Sequence, residues 1–243
     1  MTHTFLHLGV LSAFGDAFNF ILHQQQARTG KVMVGGPDQS LHLIGQHLKV
    51  TFLALAAALA VAIPAGVILG HLHKGETFAI ALGNAGRAVP ELALIAFVAA
   101  FIGVGLINVT FAFAVLGIPP ILTNTFVGMD QVDRNAVEAA RGMGMNGLQV
   151  ILRVELPLAV PTIMAGVRTG AVNIIATVAL ASLAGVSTLG DYILGRNVYG
   201  DPGVIAGAIL IALLTVMLEL SLAGIQWALT PRGLKLARAG AAA

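Results

Sequence analysis

The chain has 243 residues, of which 57% are hydrophobic and 10% charged, with a net charge of +2 and a mean hydropathy of +0.90. A soluble domain carries about a quarter of its residues as charges, so the bulk of this chain belongs in lipid, and so small a net charge gives no argument for nucleic acid. Cysteine is absent, which excludes disulfides, thiolate metal sites and a thiol nucleophile.

In chain order, the first candidate element is Phe5 to His23. Phe14, Phe18, Ile21 and Leu22 recur at helical spacing, while Asp16 and Asn19 interrupt the apolar run. The pattern predicts an amphipathic helix lying at the membrane surface, within an N-terminal segment 1–40. Neither a basic start nor a small-residue cleavage site precedes Gln24-Gln25-Gln26, which argues against a signal peptide.

A span needs about 20 mostly apolar residues. Five stretches meet this over residues 41–232: Val50 to Leu69, Phe78 to Val104, Leu106 to Val127, Leu158 to Ala184, and Val204 to Leu229. Gly103-Val104-Gly105 makes a tight hairpin of the second and third. The fold class is therefore an all-α integral membrane protein, a bundle of about five transmembrane helices with an N-terminal amphipathic helix.

Five spans put the termini on opposite sides. One side would carry Lys74, Arg134, Arg141, Arg153, Arg232, Lys235 and Arg238, and the other Arg28, Lys31, Lys49 and Arg196. The positive-inside bias predicts the larger set in the cytoplasm. The loop 128–157 and the tail 233–243 then face inside, and the N-terminus faces outside.

Four charges fall inside predicted spans: Arg87, Glu91, Arg168 and Glu219. Each is costly in lipid unless paired or solvated. Arg87 and Glu91, read as i and i+4 on one helix, can pair locally. Arg168 and Glu219 lie at matching depths on two spans and are expected to pair between helices, as a structural lock or as a gate lining a path. Thr169, Asn173 and Thr177 repeat at i+4 on the same span, either as interhelical glue or in contact with a passing solute. His71 and His73, at the end of the first span, are too few ligands for a metal site.

The loop 128–157 reads GMDQVDRNAVEAARGMGMNGLQVILRVELP. Asp133 or Asn135 can start a helix, with Asn135 and Glu138 spaced as a capping box. Gly142-Met143-Gly144 breaks that helix, and a second begins near Leu148. The loop carries apolar and small residues where a solvated connector would not, so it wants a partner.

Glu138-Ala139-Ala140, three residues, Gly144, nine residues, then Val154-Glu155-Leu156-Pro157 resembles the loop of binding-protein-dependent ABC permeases, with Val154 standing where Ile is usual. The stretches RNAVEAARGMGMNGLQVILRVELPLAVPTIMAGVRTGAV, GNAGRAVPELALIAF and GVSTLGDYILGRNVYGDPGVIAGAILIALL resemble the osmoprotectant branch of that family, which imports glycine betaine, choline, carnitine and related compatible solutes. The resemblance covers about residues 40–232 and implies a type I importer permease. Glu138, Ala139, Ala140, Gly144, Val154, Leu156 and Pro157 would couple it to an ATPase. Arg87, Glu91, Arg168, Asn173, Thr177 and Glu219 are the candidates for the translocation path.

The implied partners are two ABC ATPase subunits holding ATP and Mg, a second permease subunit, identical or homologous, and an extracytoplasmic solute-binding protein. The chain itself is expected to hold no cofactor or metal and to be no enzyme, since it lacks a phosphate-binding G-x-x-x-x-G-K-[ST] loop. Alternatives are the same machine carrying methionine or a polar amino acid, an ion-coupled secondary transporter, and an intramembrane enzyme, for which no nucleophile motif is present.

Overall fold

A computed structural model describes residues 2–231 and 233, with the side chains of residues 2–11 and of Arg87 outside what is described. The tail expected at 233–243 lies almost wholly outside the described residues.

Helix α1 (Thr2–Leu22) is followed by a short antiparallel hairpin, β1 (Gln24–Gln26) and β2 (Met33–Gly35), in which Gln25 faces Val34. The hairpin was not legible in the sequence, because three glutamines carry no strand alternation. Then come α2 (Gly36–His71), α3 (Glu76–Ala88), α4 (Glu91–Ile102), α5 (Leu106–Asp130), α6 (Arg134–Gly142) and α7 (Gly147–Val150). A π-helical stretch, Ile151–Glu155, leads into α8 (Leu156–Thr177), which tightens to a 3₁₀ stretch at Val178–Ala184. Helices α9 (Gly190–Leu194) and α10 (Arg196–Leu229) complete the order.

Among the described residues, four helical segments are long and apolar enough to cross a membrane: Gly36–His71, Leu106–Asp130, Gly147–Ala184 and Arg196–Leu229. These match four of the five expected spans. The other, 78–104, is not one helix. It is broken into α3 and α4, which reach the length of a span only when taken together. The cause is Pro90: a residue before proline is pushed out of the helical region, and Val89 is extended at φ −80°, ψ 120°. Arg87 and Glu91 therefore do not share a helix, which corrects the expected i, i+4 pair.

The chain divides into two compact units. The first is drawn from Met1–Leu53, Leu92–Phe113 and Ile175–Val216. Its core gathers Ala17, Phe20, Ala27, Val34, Leu43, Leu189, Tyr192 and Ala206. Phe20 meets Tyr192 edge-on at 5.1 Å, and the buried Tyr192 hydroxyl lies 3.2 Å from Ser40 Oγ. Helix α1 thus presents Ala17 and Phe20 to this core, while Phe14, Phe18 and Leu22 form an apolar stripe on its exposed side. Gly190 is required by closeness, because a Cβ there would lie 1.8 Å from the Ala179 carbonyl oxygen.

The second unit is drawn from Ala54–Glu91, Ala114–Ile174 and Met217–Ala243. Its helices close on one another through small residues: a Cβ on Gly66 would meet Thr125 at 2.6 Å, and one on Gly166 would meet Asn124 at 2.5 Å. Lipid gives no hydrophobic drive between helices, so such close backbone approach is what holds them. Large apolar side chains such as Met217, Leu220 and Trp227 are exposed, as a surface solvated by lipid requires.

Candidate functional site

The loop between α5 and α8 is built by three local devices. The Asp133 side chain caps α6, accepting from the Asn135 backbone N–H at 2.9 Å. The capping box expected at Asn135 and Glu138 instead occurs one helix later. The Asn146 side chain accepts from the Gln149 N–H, and the Gln149 side chain accepts from the Asn146 N–H, each at 2.9 Å. Between the two helices, Gly144 sits at φ +83°. Its N–H reaches Arg141 O at 2.9 Å, and the Met145 N–H reaches Ala140 O at 3.2 Å. This is a Schellman closure, and the left-handed position asks for glycine.

These devices divide the loop into an outward and an inward set. Glu138, Ala139 and Gly144 are exposed, whereas Ala140 is buried against the unit. Met143, Leu148 and Leu152 are exposed by 73%, 65% and 55% and are the large apolar side chains that the loop leaves uncovered, its apolar crest. Val154, Leu156 and Pro157 are half-buried. Pro157 explains the π-helical stretch before it. It has no N–H to offer a carbonyl one turn back, so the turn widens and the Leu156 N–H reaches Ile151 O.

The intramembrane charges behave unequally. Arg168 Nε donates to Glu219 Oε1 at 2.9 Å, and Arg168 Nη2 donates to the same oxygen. Arg168 Nη1 donates to Gln226 Oε1 at 2.9 Å, and Gln226 Nε2 approaches the Pro161 carbonyl at 3.4 Å. Gln226 is not among the residues expected from the sequence. Its signal was its spacing, since i+7 from Glu219 is two turns along the same helix face. Glu91 opens α4 as an exposed residue, and the Arg87 side chain lies outside the described residues.

Beside Arg168, the other face of α8 is open. Thr169 and Asn173 are exposed and line a cleft of about 190 Å³ with Gly83, Pro119, Thr123 and Asn124. The Thr123 hydroxyl donates to Ala79 O at 2.9 Å, and the Asn124 amide donates to Pro120 O at 2.8 Å. Thr177, the third residue of the expected stripe, ends α8 in the first unit.

Residues 62–232 match the model of the binding-protein-dependent transport system inner membrane component family. The carnitine transport permease protein OpuCB of Listeria monocytogenes is 39% identical over 196 residues, covering 80% of this chain and 90% of that protein. The glycine betaine/carnitine/choline transport system permease protein OpuCB of Bacillus subtilis is 37% identical with the same coverage. In fold, the chain is similar to a methionine ABC transporter, MetNI, in an inward-facing conformation: TM-score 0.68, 21% identity, 79% of this chain and 96% of that one. With the family model covering most of its length and these relatives nearly all of theirs, the chain belongs to the binding-protein-dependent transport system inner membrane components, the permease subunits of ABC importers.

Proposed function

We propose that this permease moves osmoprotectants of the quaternary-ammonium class, such as glycine betaine, carnitine or choline, into the cell, driven by a partner ATPase. The observation that carries the cargo is the 39% identity to a carnitine permease. The likeness to the methionine transporter, at 21% identity, speaks for fold alone. An ion-coupled carrier would leave the loop's spacing and its exposed apolar crest without a purpose.

In this reading, the loop 128–157 faces the cytoplasm with the tail, and the N-terminus faces outside. The crest of Met143, Leu148 and Leu152, with Glu138 and Ala139, seats in a groove on an ATPase. Ala140 holds that surface to the helices behind it and Gly144 sets its elbow, while Val154, Leu156 and Pro157 carry its motion into α8. The chain hydrolyses no ATP itself. Two permease subunits, identical or homologous, enclose the path, with Thr169 and Asn173 facing it. Arg168 and Glu219 act as a lock between α8 and α10, because the guanidinium spends its donors on α10. A binding protein on the outer side selects the solute, which fits a chain with one Trp and two Tyr and little to build a cation cage from.

The test is reconstitution in vesicles with the partner ATPase and binding protein, using labelled glycine betaine, carnitine, choline and methionine. Uptake of one of the first three that needs ATP and survives an uncoupler is expected. Uptake by this chain alone, or of methionine only, overturns the proposal.

A further inference from the structure

Helix α2 ends in a Schellman closure like that of α6, but with an unusual residue in it. The Lys74 N–H reaches Leu69 O at 3.1 Å, and the His73 N–H reaches Gly70 O at 3.0 Å. The left-handed position is held by His73 at φ +49°, the one non-glycine residue with positive φ among the described residues. Glycine suits such a position and a β-carbon strains it. A strained side chain persists where the surroundings over-determine it, and here a second bond does so. His73 Nδ1 lies 2.7 Å from Asp130 Oδ1. A carboxylate only accepts, so the imidazole Nδ1–H donates.

His71, two residues earlier, makes a matching bond. Its Nδ1 lies 2.7 Å from Glu155 Oε2, and the Glu155 side chain is 4% exposed. The two carboxylates are not neighbours in sequence. Asp130 is the last residue of α5, where the loop departs, and Glu155 is the last residue of the π-helical stretch, where it returns. One turn at the end of the first span therefore grips both feet of the loop.

We propose that His71 and His73 are positioning residues for ATPase coupling: through Glu155 and Asp130 they fix the loop to the end of α2, so that a push on the loop moves the first span with α8. This rests on the reading of the loop as the ATPase docking element. Without the clamp, the loop would pivot on its own ends and absorb the push.

Two readouts test it on the full chain. In the assembled transporter in vesicles, glycine betaine moved per ATP hydrolysed is compared for the parent, for His71→Ala with His73→Ala, and for His71→Asn with His73→Asn. Asparagine puts an N–H donor where Nδ1 stands and tolerates the left-handed backbone. The alanine pair is expected to lower the ratio about tenfold, the scale of losing charge-assisted hydrogen bonds, while ATP hydrolysis continues, and the asparagine pair to restore it to within about threefold. In the permease alone, amide exchange over residues 134–150 is expected to rise about tenfold in the alanine pair and to return in the asparagine pair, with α10 unchanged.

An unchanged ratio in an assembled alanine pair overturns the proposal, as does an asparagine pair that fails as badly as the alanine pair in either readout or does not assemble. If the alanine pair does not assemble, the asparagine pair decides alone. A failure of the underlying reading looks different: substitutions on the crest at Met143 and Leu148 would leave coupling intact in the parent background.

Discussion

Replacing Glu219 by alanine would leave the Arg168 guanidinium with one partner, Gln226, at a depth where an uncompensated Arg costs about 2.5–3.5 kcal/mol. Breaking a fully buried pair by removing one member costs about 3–5 kcal/mol. Both side chains here are 33% exposed rather than fully buried, and Gln226 still accepts one guanidinium donor, so we expect about 2 kcal/mol. For a domain of this size the melting temperature would fall by about 4–8 °C. Glu219→Gln keeps an acceptor and loses the charge, and should cost about 1 kcal/mol. Arg168→Met with Glu219→Met removes both charges and should come within about 1 kcal/mol of the parent. The assay is thermal unfolding of the chain in lipid discs, paired with uptake by the assembled transporter. Parent-like melting and uptake in Glu219→Ala would refute the lock. So would a double Met variant as unstable as the single one, since the two side chains would then not be coupled. A double variant that regains stability but loses transport would move the pair from the lock to the path.

Two further outcomes follow from the loop. At Gly144, Asn should be tolerated and Val should cost about 1 kcal/mol or more, because φ is +83°. Affinity for the ATPase, measured by co-purification, should follow that order, and equal behaviour of both variants would count against the Schellman closure as the loop's elbow. Met143→Asp with Leu148→Asp should leave melting within about 0.5 kcal/mol of the parent, as exposed positions do, and abolish capture of the ATPase. Retained capture would show that the crest is not the docking surface.

Much of this architecture was legible because lipid enforces simple rules. Long apolar runs announced four spans, and the spacing from Glu138 to Pro157 announced the loop. What escaped depended on tertiary contact or on one residue's backbone. Composition reads 78–104 as a single span, but Pro90 removes its predecessor from the helix. The pair Asn135 and Glu138 fits a capping box by spacing, yet α6 begins at Arg134 with Asp133 as its cap, which leaves Asn135 inside the helix as a donor to Asp133, and the box forms at Asn146 and Gln149. Gln226 carries no charge, so nothing but its spacing from Glu219 marks it as a residue on which Arg168 spends a donor. The histidines at 71 and 73 read in the sequence only as too few ligands for a metal site, since their carboxylate partners lie 84 and 57 residues away.

The widened turn at Ile151–Glu155 also absorbs a residue. An α-helix advances about 100° per residue, and the π-helical stretch fits one residue more than a regular turn into a single wider turn. Deleting one residue there, with Glu155 spared, would let the turn close to an ordinary α-helical one and leave the segments on either side near their present phase. Deleting one residue from a regular turn of α8 would instead rotate everything before it by about 100° about the helix axis. The five positions are thus a place where the residue count can change by one without turning the loop, and a single deletion there should be far more forgiving than the same deletion within α8.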